Sequence, residues 1–277
     1  MFFEDAQEAA HALAAFLEGK RTIVVSGAGT STDAGLPDYR GTGTTQEPSI
    51  DFNMFVTDPV WRAWVWQRNH ETWRQMLRMQ PTPAHHAIAA LERAGLVSGN
   101  ATQNVDGLDR ASGQDNVWEL HGSFATVDCI DCSTRFPREE YGELLSALNP
   151  GWPETDELPV ILAPARRADA ERSTFRVAPC PRCGGIVKPS VVFFGEGLPS
   201  EAMDGAMSAA TAADAVLVVG TSLQVSTGMW VMRQAWAQGG PVAIVNRGAT
   251  AGDRFADLRV DAGASEVLER TVELLGA

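Results

Sequence analysis

Four cysteines, and no others in the 277-residue chain, fall in two pairs, Cys129/Cys132 and Cys180/Cys183. Each pair has the C-x-x-C spacing with which one tight turn sets two thiolates at adjacent corners of a tetrahedral zinc site. Pro181 inside the second pair and Gly184-Gly185 after it suit the sharp turn that such a knuckle needs. A disulfide framework is the other common use of paired cysteines. No export signal is read in Met1 to Gln7, and a core of this size needs no covalent staples. A thioredoxin-type redox pair accounts for one C-x-x-C but not for two. The expectation is one structural zinc held by all four thiolates, which leaves no open position for catalysis.

Other chemistry-bearing residues sit upstream of the cysteines. Gly27-Ala28-Gly29-Thr30-Ser31-Thr32-Asp33-Ala34-Gly35 follows a β-branched run, Thr22 to Ser26. Glycines there let backbone N–H groups approach a pyrophosphate at a helix N-terminus, where the dipole favours anions. The spacing matches neither the G-x-G-x-x-G fingerprint nor a Walker loop, and alone it reads equally well as a plain turn. Leu36-Pro37-Asp38-Tyr39-Arg40-Gly41 then supplies an acid, an aromatic ring and a guanidinium where a flap would cover a nucleotide; the alternative is a polar surface turn. Gln103-Asn104-Val105-Asp106 puts an amide and a carboxylate on one loop, although Asn and Asp are also turn formers. His121, in Leu120-His121-Gly122 between the nucleotide loop and the zinc pair, is the general-base candidate, because imidazole titrates near neutrality, although a lone histidine is more often structural. His85-His86 read as structural.

The net charge of −13 argues against a nucleic-acid partner, since phosphate recognition needs a basic face. Hydrophobic content of 44% and charged content of 21% are those of an ordinary globular protein. No apolar run approaches the ~18 residues of a membrane span, and a cytoplasmic location is the expectation.

These residues need elements to position them. Glu4 to Leu17 has the periodicity of an amphipathic helix, ended by Gly19. Asp58 as N-cap and Pro59 at the first position start a helix running to about Met79, which holds Trp61, Trp64, Trp66 and Trp73. Pro83 to Ala94 and Leu268 to Leu275 read as further helices. Thr22 to Ser26, Val97 to Thr102, Ala215 to Val219 and Pro241 to Val245 read as buried strands, and so does Val191 to Glu196. Strands alternating with helices predict an α/β fold, a doubly wound Rossmann-like parallel sheet. The proline-rich, aperiodic stretch from Cys129 to Pro189 reads as an inserted small zinc-ribbon domain. The predicted partition is residues 1–128 and 190–277 for nucleotide binding, 129–189 for zinc, and part of 40–80 as a helical cap over the nucleotide.

Seven ordered motifs carry a resemblance that covers the chain from about Leu17 to Leu274. They are GAGTSTDAGLPDYRG from Gly27, TQNVDGL from Thr102, LHG from Leu120, the two C-x-x-C pairs, KPSVVFFGE from Lys188, GTSLQV from Gly220 and VNRG from Val245. Together they resemble the sirtuins, the NAD-dependent protein lysine deacylases.

The resemblance implies NAD as a co-substrate, contacted by Gly27, Ala28, Gly29, Thr30, Ser31, Asp38, Tyr39, Arg40, Gln103, Asn104, Val105 and Asp106. Gly220, Thr221 and Ser222 would hold phosphate or ribose hydroxyls, Asn246, Arg247 and Gly248 the adenosine ribose, and the Ala264 backbone the adenine. In sirtuins the residue matching Asn104 contacts the nicotinamide-side ribose and an ordered water, the one matching Asp106 bonds the nicotinamide carboxamide, and the one matching His121 is the proton acceptor. The acyl-lysine oxygen attacks the ribose as nicotinamide departs, the His-assisted 2′-hydroxyl attacks the resulting alkylimidate, and water completes the release of lysine and O-acyl-ADP-ribose. The segment matching Val191, Val192, Phe193, Phe194, Gly195 and Glu196 takes the substrate peptide by strand addition and lines the acyl-lysine tunnel.

Several residues depart from the commonest pattern of the family. Tyr39 stands where Phe is usual, Asp109 where a His or similar residue follows GL, and Thr227 where a proline is common. NPGWP at Asn149 to Pro153 and RNHETW…QPTPAH at Arg68 to His85 resemble the class II branch, which includes a mitochondrial lipoamidase-like sirtuin. The desuccinylase branch carries Tyr-x-x-Arg where this chain has Trp64-Val65-Trp66-Gln67, so a neutral acyl group is expected, with Arg68 the nearest cation in sequence. Two other activities stay open: a mono-ADP-ribosyltransferase using the same NAD site, and a non-catalytic NAD-sensing or zinc-ribbon interaction protein. His121 separates deacylation from the first. The joint presence of Asn104, Asp106 and His121 argues against the second.

Overall fold

Thr22–Ser26 holds four β-branched residues in five, and all five positions are buried, as a central parallel strand requires. The computed structural model describes residues 1–36, 50–153 and 167–277. In chain order the first elements are β1 (Phe2–Phe3), α1 (Ala6–Leu17), β2 (Thr22–Ser26), α2 (Phe52–Thr57), α3 (Pro59–Arg78), α4 (Pro83–Arg93) and β3 (Val97–Thr102). They are followed by α5 (Leu108–Ala111), β4 (Val117–Glu119), β5 (Gly122–Cys129), β6 (Arg135–Pro137), α6 (Arg138–Leu148), α7 (Arg167–Glu171) and β7 (Val187–Val191). The remainder are α8 (Ser200–Ala212), β8 (Ala215–Val219), α9 (Ser226–Ala237), β9 (Val242–Val245), β10 (Leu258–Val260) and α10 (Ala264–Leu275).

The chain divides into two compact units. The first draws on Met1–Asp38, Gln80–His121 and Pro199–Ala277. It is a Rossmann-like α/β unit, with seven parallel strands in the order β1-β10-β9-β8-β2-β3-β4. Strand alternation sends Val24, Leu217, Val219, Ala243 and Val245 to one face, where they pack with α1, α4 and α10 residues such as Leu13, Ile88 and Leu268. Ile23, Val25, Val216, Val218 and Ile244 go to the other face, with Ala206 of α8 and Val231 and Met232 of α9. The chain runs outward from β2 through β3 to β4, then returns to the other side of β2 and runs outward through β8, β9 and β10. The order reverses at the β2/β8 boundary, and in open α/β sheets such a switch point opens a crevice at the strand carboxyl ends.

The second unit draws on Tyr39–Met79 and Gly122–Leu198. Its three-stranded antiparallel sheet has the order β6-β5-β7. α3 starts as the sequence predicts: Asp58 accepts the Val60 N–H at 2.9 Å, with Pro59 at the first position. The Trp66 indole donates to the Val187 carbonyl at 3.0 Å, tying α3 to β7, and its ring meets Tyr141 of α6 at 4.7 Å. Arg138 of α6 lies against both Trp66 and Trp73, at 5.6 and 4.7 Å, and donates to the Asn69 side chain at 2.7 Å. The tryptophan-rich helix therefore packs around a cation.

One strand expectation is corrected. Val191–Glu196 is not a strand: pairing covers Val187–Val191 and ends there. Gly195 has a φ of +80°, and the Glu196 carboxylate accepts the Phe193 N–H at 3.0 Å, which folds the segment into a turn. Phe193 is buried against Phe55 at 4.9 Å, while Phe194 is exposed. The final helix is longer than its periodicity suggests, beginning at Ala264 rather than Leu268. Strands β1, β4 and β10 and helix α6 have no counterpart in the sequence expectation; the three strands are two or three residues long, too short for a period to register.

Burial pushes the Arg138 guanidinium down to about 9, a sign that its charge is poorly solvated there. Truncation in Arg138→Ala leaves a cavity between two indoles and a buried Asn69 oxygen unpaired, and is expected to cost about 3 kcal/mol. Arg138→Met keeps most of the volume and should cost markedly less. Urea unfolding of both variants checks this contrast.

Candidate active site and cysteine cluster

The loops that follow β2, β3, β8 and β9 leave the same edge of a parallel sheet, and each carries one of the sequence motifs. The loops after β2 and β8 meet backbone to backbone. Gly27 N–H donates to Val219 O at 3.1 Å and Gly29 N–H to Gly220 O at 2.8 Å. A Cβ on Gly29 would stand 2.7 Å from Gly220 Cα, and one on Gly220 would stand 2.6 Å from Thr30 N. Gly220 also has a φ of +61°. Ala28–Thr30 and Thr32–Ala34 form two short 3-10 turns separated by Ser31.

The loop after β3 is stitched to this glycine turn. The Asn104 amide nitrogen lies 3.2 Å from Gly27 O, 3.1 Å from Thr30 Oγ1 and 3.2 Å from Ser31 Oγ. Ser31 Oγ donates to Asp106 at 2.8 Å, and the other Asp106 oxygen accepts the Leu108 N–H at 2.9 Å. Burial raises the Asp106 carboxyl above its ordinary value. Behind it His85 is fully buried; its Nδ1 accepts the Thr82 N–H at 3.1 Å in a capping box at the start of α4. Burial pushes His85 down to about 4, so it is neutral and structural, as the sequence reading has it.

His121, just after β4, is held at both ring nitrogens. Nδ1 lies 2.9 Å from the Gln103 carbonyl and Nε2 lies 2.8 Å from Thr227 Oγ1 on α9. Burial lowers its proton affinity, opposed by the Gln103 carbonyl. A neutral imidazole near pH 7 follows, which is the form a general base needs. The Thr221 hydroxyl donates to Gln103 Oε1 at 2.8 Å, joining the loop after β8 to that after β3. Ser222 bonds through its carbonyl to Ala251 N–H.

After β9, the Asn246 side chain closes its own loop, donating to Arg247 O at 2.7 Å and Gly248 O at 3.2 Å. Arg259 of β10 is buried beneath it and donates to the carbonyls of Asn246 and Gly248. Sequence reasoning passes over Arg259; an arginine inside a short apolar strand is the signal that could have marked it. Ala264 opens α10, beside a cavity of about 630 Å³ lined by Asp33, Arg247, Gly263 and Ser265 among others. Gly27, Ala28, Gly29, Thr30, Ser31, Gln103, Asn104, Val105, Asp106, His121, Gly220, Thr221 and Ser222 thus fall on loops at one sheet edge. Asp38, Tyr39 and Arg40 lie outside the described residues.

In the second unit the four cysteines converge, with all four sulfurs within 4.8 Å of one another. Cys129 and Cys183 are 3.5 Å apart and Cys132 and Cys180 3.9 Å, so each close contact links the two knuckles. Backbone bonds from Ser133 N–H to Cys129 O and from Gly184 N–H to Cys180 O close the two turns, with Ser133 and Gly184 at positive φ. Four converging soft donors fit a tetrahedral zinc ion, whose four Zn–S bonds of ~2.3 Å span such a cage.

Asp109, one residue past TQNVDGL, is buried and accepts from Asn100 at 2.9 Å and more weakly from Gln114. Burial raises it from 3.8 to about 6. The folded state therefore binds more protons than the unfolded chain between these values, and stability falls as pH rises through that window. Asp109→Asn is expected to stabilise the protein by about 2 kcal/mol at pH 8 and to gain little at pH 4, where the native carboxyl is already protonated. Unfolding free energies of both proteins at the two pH values check this.

Residues 27–227 match the family model described as the Sir2 family. The chain is 45% identical over 259 residues to NAD-dependent protein deacetylase 1 of Mycobacterium avium, covering 92% of each. It is 43% identical over 267 residues to an NAD-dependent protein deacetylase of Bordetella pertussis, covering 94% of this chain and 96% of that one. Among solved structures, one described as Sir2 bound to acetylated peptide superposes with a TM-score of 0.75 at 27% identity, covering 96% of this chain and 98% of that one. Another, from work on the mechanism and regulation of Sir2 enzymes, gives 0.75 at 31% identity and covers 98% of both chains. With its glycine turn, its Asn-Val-Asp loop and its doubly anchored histidine in place on a Rossmann-like sheet, this chain belongs to the Sir2 family.

Proposed function

We propose that this chain is an NAD-dependent protein-lysine deacetylase that forms nicotinamide, free lysine and O-acyl-ADP-ribose, and that it belongs to the class II branch. The observation that carries the activity is the neutral His121, held at both nitrogens on the sheet edge that also presents Asn104 and Asp106. The NPGWP and QPTPAH segments support the branch. The first unit is the NAD-binding domain; the second is the zinc module, with α2 and α3 as its cap helices.

The Gly29/Gly220 contact leaves no room for side chains at the switch point, which fits a cradle for a pyrophosphate. Gly27, Ala28, Gly29, Thr30 and Ser31 would hold NAD there with Gln103, Val105, Gly220, Thr221 and Ser222. Asn246, Arg247 and Gly248 would take the adenosine ribose, and the Ala264 backbone the adenine. NAD, when bound, supplies a glycosidic bond that breaks to release nicotinamide and a ribose that carries the acyl group away. Asn104 orients the reacting ribose, and Asp106 accepts from the carboxamide. His121 takes the proton from a ribose hydroxyl at Nε2 and holds it on the imidazole.

The substrate peptide would add to β7, which is an edge strand of its three-stranded sheet, along Val191 to Glu196. The turn at Gly195 limits that pairing to the residues before it. Lys188, whose ammonium meets Glu196 at 3.2 Å and donates to Val191 O at 3.0 Å, braces the turn.

A neutral acyl group is favoured. Both ends of the Gln67 amide are engaged, with Glu71 at 2.9 Å and with the Ser173 hydroxyl at 2.6 Å. Glu71 also accepts from Trp152 of NPGWP and interacts electrostatically with the Arg68 guanidinium, so that cation is already engaged by a carboxylate. The Arg68 guanidinium lies over the Trp64 ring at 5.4 Å. A carboxylate-bearing acyl group set there would compete with Glu71 for Arg68 and is costly to desolvate.

One structural zinc is bound by Cys129, Cys132, Cys180 and Cys183 and contributes folding energy, on the order of 10 kcal/mol in small zinc modules. Reduced protein should contain one zinc per chain by metal analysis. Chelation should unfold the second unit, read as a loss of near-UV circular dichroism from its tryptophans. Stoichiometric absence of zinc would remove this part of the reading.

The activity is tested with an acyl-peptide panel and NAD, following O-acyl-ADP-ribose by mass spectrometry. Acetyl and longer neutral acyl groups should give higher kcat/KM than succinyl. His121→Ala should lose deacylation by about 10²-fold or more while keeping NAD binding and much of nicotinamide exchange; Asn104→Ala should lose both. Near-wild-type deacylation by His121→Ala would rule out the assigned base.

A further inference from the structure

Thr227 occupies a position where the commonest sirtuin pattern has a proline, and it contacts the proposed base directly. It lies in the first turn of α9 and is 4% exposed. Its hydroxyl belongs to a chain of hydrogen bonds whose polarity is set by two carbonyls that can only accept. Gln103 Nε2 lies 3.3 Å from the Val225 carbonyl, so the nitrogen end of that amide points there. The oxygen end takes the Thr221 hydroxyl at 2.8 Å. The same Nε2 lies 3.1 Å from Thr227 Oγ1, which therefore accepts and has its own hydrogen left to give. His121 Nε2, 2.8 Å away, is the acceptor. At the other side of the ring, Nδ1 faces the Gln103 carbonyl at 2.9 Å and must carry the proton.

We infer that Thr227 is a positioning residue for deacylation: its hydroxyl fixes His121 in the Nδ1–H tautomer and keeps Nε2 free of a proton until a ribose hydroxyl displaces the threonine hydrogen from that lone pair. The inference rests on the deacylase reading of His121. Protonation at Nε2 would set an N–H against the Thr227 O–H, so the threonine hydrogen must turn away before the imidazolium can form. The neutral base is favoured by that amount. The start of α9 adds to the effect, since the positive end of a helix dipole disfavours a nearby cation. Acids on the flanking segments, Asp106 and Asp109 after β3 and Glu119 on β4, do not figure among the influences on the His121 proton, and neither does Arg233 of α9. Burial and the Gln103 carbonyl do. A proline here would present no hydroxyl, so this chain gives its base an anchor that the commoner pattern lacks.

The test compares wild type, Thr227→Ser and Thr227→Val in the full chain. One readout is the pH profile of kcat/KM for deacetylation of an acetyl-lysine peptide. A second is exchange of labelled nicotinamide into NAD, a step that does not call on the base. The third is NMR titration of the His121 imidazole, which needs no turnover. Thr227→Val should move the acid limb of the profile and the imidazole titration upward by roughly half a unit to one unit, the scale of one lost hydrogen bond. It should also lower plateau deacetylation about tenfold while exchange stays within about twofold. Thr227→Ser should restore all three readouts, and in a His121→Ala background Thr227→Val should have no further effect on deacetylation. An unmoved titration in Thr227→Val, or parallel loss of exchange and deacetylation, overturns the inference. A wild-type protein that exchanges nicotinamide but does not deacetylate overturns the deacylase reading instead, and the NMR titration then still reports whether Thr227 governs the protonation of His121.

Discussion

The close approach of two backbone turns at the centre of the sheet is the constraint from which the proposed site follows. Gly29 and Gly220 meet where β2 and β8 end, at distances no Cβ could share. Because both strands are parallel and adjacent, their following loops are forced to the same edge. With no side chains between them, the amides of one loop bond the carbonyls of the other. That contact fixes the glycine turn, the turn fixes Thr30 and Ser31, and these in turn take Asn104 and Asp106. A residue with a side chain at either glycine would part the loops and uncouple every polar group that depends on them.

Burial is the second organising effect, and it acts on each titratable group according to its sign. His85 and His121 are driven toward the neutral form, and Asp106 and Asp109 toward the protonated one. Each shift disfavours the charged form of the group, which is the direction expected when polar side chains are packed under the loops away from water. His85 and His121 share this fate for different ends. His85 Nδ1 caps a helix, whereas His121 is tied between a carbonyl and a hydroxyl with its ring orientation fixed.

In the second unit the three-stranded sheet is too small to bury a core of its own, so other devices support it. The tryptophans of α3 pack on β7 and α6 and enclose Arg138. The cysteine cage closes the far end of β5 against the turn that precedes β7. A metal in that cage would join two knuckles that stand 48 positions apart in the chain, closing a long loop whose ordering costs entropy.

Sequence alone determined the features carried by local composition. β2, β8 and β9 were legible because β-branched or apolar runs end in recognisable turns, α3 because Asp58-Pro59 is a start signal, and the cage because C-x-x-C spacing is itself a ligand geometry. The ordered motifs were enough to place Asn104, Asp106 and His121 together. Tertiary structure decided what depends on distant partners. The turn at Gly195 cut short a strand that periodicity extended, since Glu196 captures the Phe193 N–H and periodicity cannot see a side chain folding back. β10 and its Arg259 were invisible because three residues carry no period, yet they hold the Asn246 loop from beneath. Thr227 reads in sequence only as a departure from a pattern. Its contact with His121 spans 106 residues and exists because parallel strands bring separate loops to one edge, a consequence of sheet topology that no local stretch encodes.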